Sequence, residues 1–281
     1  MARPRVGLAL GAGGTKGTAH VGVLKVLSEA GVPIDCIAGA SIGALYGASF
    51  ARGHEPERMA RNIRRTPPQD VLRFFRHRLS MGPQNPLGER FRRTLEGVRF
   101  EDLKIPLAVV ASDVVRREPV LIREGEVLPA VQASISVPVL TRPVRWGDRY
   151  LVDGGYWEPA PVSAALALGA EKVIAVVLGE PAVVSERRRL WVRRLTAIVD
   201  GYARRTGRDG GRRPPGLLAA VVFYLYTRTE VPPPTAAAAD VIIRPRVAHL
   251  NANSPFHMQV SLRRGEEATR EALPLIEEML R

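Results

Sequence analysis

Cysteine occurs once in the 281 residues, histidine five times and lysine only four times (Lys16, Lys25, Lys104 and Lys172). Each scarcity closes off a class of function. Cys36 has no second cysteine with which to form an internal disulfide, and in the apolar run 34–38 it reads as a small buried hydrophobe. The histidines (His20, His54, His77, His249 and His257) form no i, i+4 pair and have no acidic cluster beside them, so no metal site is expected. The longest strongly apolar stretch, 216–226, falls short of the roughly 20 residues that a spanning helix needs. Residues 1–6 lead straight into Gly7 and a buried run, with no separate apolar region or cleavage site, so no leader is expected. These features favour a cytoplasmic protein.

The few lysines leave about nine-tenths of the 41 cationic side chains as arginine, against 28 acidic ones, for a formal charge of +13. No aromatic-and-basic RNA signature and no helix-turn-helix pattern accompanies that charge, so nucleic acid is not the expected partner. Attraction to an anionic membrane surface is the better use of it, as peripheral contact at the inner membrane face. With 46% hydrophobic and 25% charged residues, the chain is ordinary for a globular protein and too apolar for wholesale disorder.

The apolar pattern predicts a short buried strand over 5–10, a turn at Gly11-Ala12-Gly13-Gly14, and a helix that ends at Gly31. A second buried strand over 34–38 precedes the turn Gly39-Ala40-Ser41-Ile42-Gly43, and another helix runs to Gly53. Strand, Gly-loop, helix, strand, tight turn and helix open an α/β fold with a parallel sheet and helices on its faces. Further strands are expected at 107–111, 120–122, 150–152, 172–178 and 241–243. Helices are expected over much of 55–100, then at 126–134, 161–168, 186–206 and 264–280, with a Gly/Arg/Pro-rich loop at 206–215. One domain is expected over 1–281, with variable helical excursions around 55–100 and 183–235.

Gly39-x-Ser41-x-Gly43 has the pattern of a nucleophile elbow, in which a serine sits on a sharp strand-to-helix turn and flanking glycines remove collisions. There the helix N-terminus favours developing negative charge. Taken alone, the pattern fits a Gly/Ala-rich helix entrance equally well. Three readings compete for Gly11-Ala12-Gly13-Gly14-Thr15-Lys16-Gly17. A P-loop fails because Lys16 precedes Gly17, and the dinucleotide fingerprint fails because Lys16 stands where its last glycine should be. An oxyanion hole built from bare backbone amides remains. The third element, Asp153-Gly154-Gly155, follows a predicted strand end. If the strands are parallel, their C-terminal ends share one sheet edge, where Asp153, Ser41 and the Gly-loop could meet. Asp-Gly is also an ordinary turn.

Together and in this order, these segments resemble the patatin-like phospholipase family. The match is close over 5–53 and 103–178. It includes Ala19-His20-Val21-Gly22-Val23-Leu24, Ala111-Ser112-Asp113 and Ala133-Ser134-Ile135-Ser136-Val137-Pro138. The resemblance implies a three-layer α/β/α fold with a mainly parallel central sheet, and a Ser41–Asp153 dyad without a catalytic histidine. It also implies a Gly-loop oxyanion hole around Gly13 and Gly14 with Lys16 close by, a lipid or ester substrate, and no cofactor. Ala12 stands where many members have glycine, Pro159 where relatives often have Asn, and Val139-Leu140 where a glycine-containing stretch is usual.

Two other readings stay open. Ser41, Asp153 and then His249 or His257 follow the chain order of Ser-His-Asp α/β-hydrolases, although a surface or capping histidine is the plainer reading of each. A regulatory or scaffolding protein could also keep the fold. His20 is expected to support the Gly-loop by hydrogen bonding. The arginine-rich segments 61–78 and 187–205 read either as solvated helix faces or as an interfacial surface.

Overall fold

The computed structural model describes residues 3–77, 79, 81, 85–137, 141–158, 160–179, 190, 194 and 238–281. The expected helix at 186–206 (apart from Leu190 and Arg194), the loop at 206–215 and the apolar stretch 216–226 lie outside the described residues. So do Pro159, Val139 and Leu140.

Four near-continuous apolar runs make the middle of the sheet: β1 (Val6–Leu10), β2 (Cys36–Ala40), β3 (Leu107–Asp113) and, later in the chain, the Lys172–Val176 strand. Runs of this kind suit strands covered on both faces. Their alternate residues divide between two cores, as a period of two requires. Val6, Leu8, Leu10, Ile37, Leu107 and Val109 face one helical layer. Ala9, Ala38, Ala40, Ala108 and Ala175 face the other, where the small side chains admit a helix closely.

The large-residue face is covered by α1 (Thr18–Glu29), α2 (Ile42–Ala51) and the long C-terminal helix, and the small-residue face by the helix Val162–Ala167. The result is three layers, α/β/α. Between α2 and β3 come α3 (Pro56–Arg65), α4 (Pro68–Arg76) and α5 (Pro86–Leu95). Each opens on a proline, whose fixed φ and missing N–H suit a first helical position. The prolines that punctuate 55–100 are therefore starts as well as stops. After β3 follow β4 (Glu118–Ile122), α6 (Val127–Ser134), β5 (Val144–Trp146) and β6 (Arg149–Asp153). The remaining elements are α7 (Val162–Ala167), β7 (Lys172–Val176), β8 (Val241–Ile243) and α8 (Met258–Met279).

Strand pairing runs β5-β6-β3-β2-β1-β7-β8, with β4 also joined to β3. β3, β2, β1, β7 and β8 are parallel, whereas β4 and β6 are antiparallel to β3. The strand that ends at Asp153 is therefore not one of the parallel set, contrary to the geometry first expected. A β5–β6 hairpin turns the chain back through Gly147-Asp148, with Trp146 opposite Arg149 and Gly147 at φ 59°. Glycine at the first position of a two-residue loop is the hairpin signal that marks this missed strand.

The registers have a consequence for the sheet edge. Val109 and Val110 pair with both β2 and β4, while Ala111 pairs with both β4 and β6. A strand has two edges, so β2 and β6 must share one edge of β3, meeting end to end. Ala40 lies opposite Val110, and Asp153 lies opposite Ala111.

α8 begins at Met258, six residues before the position expected, because the 3₁₀ turn Pro255–His257 runs directly into it. Its crossing with α1 is backbone on backbone. A Cβ at Gly265 would sit 2.0 Å from the Ala19 carbonyl oxygen, and one at Gly22 would sit 2.1 Å from that of Leu262. Since backbone cannot yield as a flexible side chain can, Gly265→Ala is expected to destabilise the protein by about 1–3 kcal/mol. Urea unfolding would read this, and an unchanged midpoint would contradict the tight crossing.

Candidate active site

Ser41 leaves the end of β2 at φ 55° and ψ −124° and serves as the N-cap of α2. A non-glycine residue at positive φ is strained by about 1–3 kcal/mol and persists only where its surroundings hold it. Two features hold it here. The Ser41 amide donates to the Ser134 hydroxyl at 2.8 Å, and that hydroxyl donates to the Val110 carbonyl at 2.6 Å. Gly43 packs so closely that a Cβ there would lie 2.1 Å from the Leu10 carbonyl oxygen. This backbone is an elbow, which a generic helix entrance would not require.

Asp153 is 5% exposed. Its Oδ2 accepts the Ser41 hydroxyl at 2.5 Å, and its Oδ1 accepts the Gly155 amide at 2.8 Å. Its backbone is pinned as well, with the amide donating to the Ser136 carbonyl at 2.8 Å and the carbonyl accepting from the Ser112 hydroxyl at 2.9 Å. Burial pushes the carboxyl up to about 6, against the opposing pull of the bonds from Ser41 and Gly155. It is therefore ionised at neutral pH yet close to its titration point, as suits a proton acceptor.

The Gly-loop lies against this pair. A Cβ at Gly155 would fall 2.2 Å from the Ala12 methyl, so the Asp turn and the Gly-loop touch. Within the loop, Gly11 donates its amide to Val176 at 3.2 Å and Thr15 donates its own to Ala252 at 2.7 Å. Gly11 thus finishes the strand and does not offer its amide to a ligand. The amides of Ala12, Gly13 and Gly14 have no protein acceptor among the described residues. Lys16 bonds the Ala248 carbonyl at 3.3 Å, and partial burial lowers its pKa. His20 is fully buried, bonds the Gly11 carbonyl at 2.7 Å, and is pushed by burial to about 4. It is a neutral support for the loop, as its position suggests.

The sequence model of the family described as Patatin-like phospholipase matches residues 8–166. The chain belongs to the patatin-like phospholipase family. An NTE family protein of Mycobacterium bovis is 33% identical over 216 residues, covering 72% of this chain and 60% of that protein. The human patatin-like phospholipase domain-containing protein 6 is 32% identical over 184 residues, covering 62% of this chain and 13% of its own length. Lysophospholipase nte1 of Aspergillus fumigatus is 33% identical over 180 residues, covering 62% and 12%. The chain therefore spans well under the full length of these relatives. VipD from Legionella pneumophila shares the fold, with a TM-score of 0.53 at 15% identity over 98% of this chain and 67% of that one.

The patatin-like core brings together Ser41, Asp153 and the loop of Ala12, Gly13 and Gly14, with Gly39, Gly43, Gly154 and Gly155 packed around them. Gly17 lies behind the loop, where a Cβ would meet the Ile42 side chain at 2.2 Å. Neither His249 nor His257 bonds to Ser41 or Asp153, and His249 is exposed. Ser112, Ser134 and Ser136 are the braces to which sequence reasoning gave no role. Their one signal was that each lies in a segment that carried the family resemblance.

The Asp153 carboxyl has a folded pKa near 6 and an ordinary value of 3.8. Its favourable contribution is complete below about pH 4 and is lost as pH rises through about 6. Asp153→Asn is therefore expected to be more stable than wild type at pH 8, by up to about 3 kcal/mol, with the difference closing toward pH 4. Denaturant unfolding at the two pH values checks this, and a destabilised variant at pH 8 would count against a buried, ionised Asp153.

Proposed function

We propose that the chain is a serine lipid acyl hydrolase that works through a Ser41–Asp153 dyad. The observation carrying this reading is the direct 2.5 Å bond from the Ser41 hydroxyl to Asp153, with no imidazole between them. As Ser41 Oγ attacks the ester carbonyl, its proton passes to Asp153 Oδ2. The carbonyl oxygen becomes an oxyanion and takes hydrogen bonds from the amides of Ala12, Gly13 and Gly14, with the Lys16 charge nearby. Each such donor is worth about 10²- to 10³-fold in rate. Collapse breaks the bond to the alcohol, which leaves with the proton from Asp153, and Ser41 stays acylated. Asp153 then takes a proton from water, whose oxygen attacks the acyl group, and passes it to Ser41 Oγ as the acyl bond breaks, so that the fatty acid departs and both residues are restored. The scheme calls for no metal or organic cofactor. Transfer of the acyl group to another alcohol would use the same intermediate.

A cavity of about 210 Å³ is lined in part by Ile135 and by Ser136, whose carbonyl accepts the Asp153 amide. Leu79, Met81, Ile135 and Val144 give it an apolar side, and Gln132, Ser136, Thr141 and Arg142 a polar one. It is smaller than the roughly 300–1,000 Å³ of sites that enclose a whole drug-sized ligand. The name lysophospholipase carried by the Aspergillus relative makes monoacyl lipids the substrates of this proposal. No helix among the described residues is long and apolar enough to cross a membrane, and a cytoplasmic enzyme acting on lipid from outside the bilayer is part of this proposal.

Ser41→Ala and Asp153→Asn are expected to lower kcat for a monoacyl phospholipid by roughly 10³-fold or more, while His249→Ala and His257→Ala stay within a few-fold of wild type. A folded but inactive His257→Ala protein would favour a triad instead. Because Asp153 must be ionised to accept the proton, kcat/KM is expected to rise with pH through about 6 and then level off. A flat profile from pH 5 to 8 would remove Asp153 as the base.

A further inference from the structure

The arginines of the helical insertion fall into two groups. On α3, Arg61 and Arg64 pair with Glu57, while Arg58 and Arg65 have no carboxylate partner among the described residues. On α5, Arg92 pairs with Glu89 and Glu96, and Arg93 pairs with Glu89. These are ordinary solvated faces. On α4, neither of the two arginine side chains, Arg73 and Arg76, has a carboxylate or hydrogen-bond partner among the described residues. The helix has a single acidic residue, Asp70, in its first turn.

α4 also carries an apolar side chain on the wrong side for the core. Val71 and Phe74 are buried, yet Leu72 is 50% exposed. Arg76, four residues along, shares its outward face. The neighbour of α4 here is the turn Pro255–His257, where Phe256 is 72% exposed, the most exposed of the large hydrophobics described. That turn is strapped to the Gly-loop. The Thr15 hydroxyl donates to the carbonyls of Ala252 at 2.8 Å and Ser254 at 3.0 Å, and the Thr18 hydroxyl donates to that of Met258 at 2.7 Å. Phe256 thus lies on a turn tied to the loop that faces Ser41, and α4, with the exposed Leu72 and its two unneutralised arginines, lies against that turn.

We propose that Leu72 and Phe256, flanked by Arg73 and Arg76, form the surface by which the enzyme docks on an anionic lipid bilayer with its active site toward the lipid. The inference rests on the acyl-hydrolase reading above. Apolar tips that would cost free energy in water gain it in the acyl region, while unpaired guanidinium groups meet lipid phosphates. The charge of +13 supplies attraction at longer range. A lipid surface is favoured over a protein partner because the exposed chains are two isolated tips with cationic flanks, set beside a site whose substrate resides in such a surface.

The test is co-sedimentation with vesicles of phosphatidylcholine alone and of phosphatidylcholine mixed with phosphatidylglycerol, at low and high salt. Wild type is expected to sediment with the mixed vesicles at low salt and to be released by salt. Leu72→Glu/Phe256→Glu is expected to raise the lipid concentration needed by about tenfold or more, and Arg73→Gln/Arg76→Gln by about fivefold per arginine. Both should hydrolyse a soluble short-chain ester as wild type does. Should the glutamate pair disturb the fold, the arginine pair carries the test alone. Ser41→Ala should sediment as wild type, so that failure of turnover and failure of docking are read separately. Equal sedimentation with neutral vesicles, none with anionic ones, or undiminished binding by the paired variants overturns the proposal.

Discussion

The site depends on two strands of opposite direction abutting on one edge of β3. β2 comes up that edge and ends opposite Val110, and β6 comes down it and ends opposite Ala111. A residue that steps off the end of β2 is thereby delivered to the residue that ends β6. The hydroxyl of Ser41 and the carboxylate of Asp153 are neighbours because backbone registers make them so, before any side-chain preference acts. Ser134 fastens the serine to Val110, and Ser112 and Ser136 fasten the aspartate. The pair is held at bonding distance by rigid strand ends, which is what preorganisation requires.

That arrangement has an energetic cost. Ser41 carries a positive φ, and Asp153 keeps a charge where burial opposes it. Structures retain such features only where the surrounding packing over-determines them. Here the packing is unusually close. Gly43 against Leu10, Gly154 against Val110 and Gly155 against Ala12 leave no room for a side chain. The Gly22–Gly265 crossing extends the same tightness to the C-terminal helix, which clasps the helix that follows the Gly-loop. Thr15 bonds into the chain just before that helix and Thr18 bonds its first residue, Met258, so the C-terminal segment is part of the loop's scaffold.

Much of this was legible in the sequence. The order of strand, Gly-loop, helix, strand and elbow was readable from apolar runs and glycine spacing, because these are local signals. The three segments of the site could be named, and they do converge. The direction of the strand bearing Asp153 was not legible, since Tyr150-Leu151-Val152 reads the same in a parallel or an antiparallel neighbour. The Gly147-Asp148 turn signals a hairpin with Val144–Trp146, but a hairpin sets β6 only against β5 and leaves its direction against β3 open. The three bracing serines were invisible for a different reason: a hydroxyl in a buried segment has no local signature, and its partner lies far along the chain. The division of arginines into paired and unpaired groups is likewise a matter of which glutamates end up one turn away.

The most direct measurement of the central claim is covalent labelling by a fluorophosphonate, with the modified residue identified by mass spectrometry. Only a serine whose proton is being removed should react quickly. The account predicts a single label on the peptide containing Ser41, formed more slowly as pH falls through about 6, and absent in Asp153→Asn. Labelling of a different serine, or undiminished labelling of Ser41 without the Asp153 carboxylate, would contradict it.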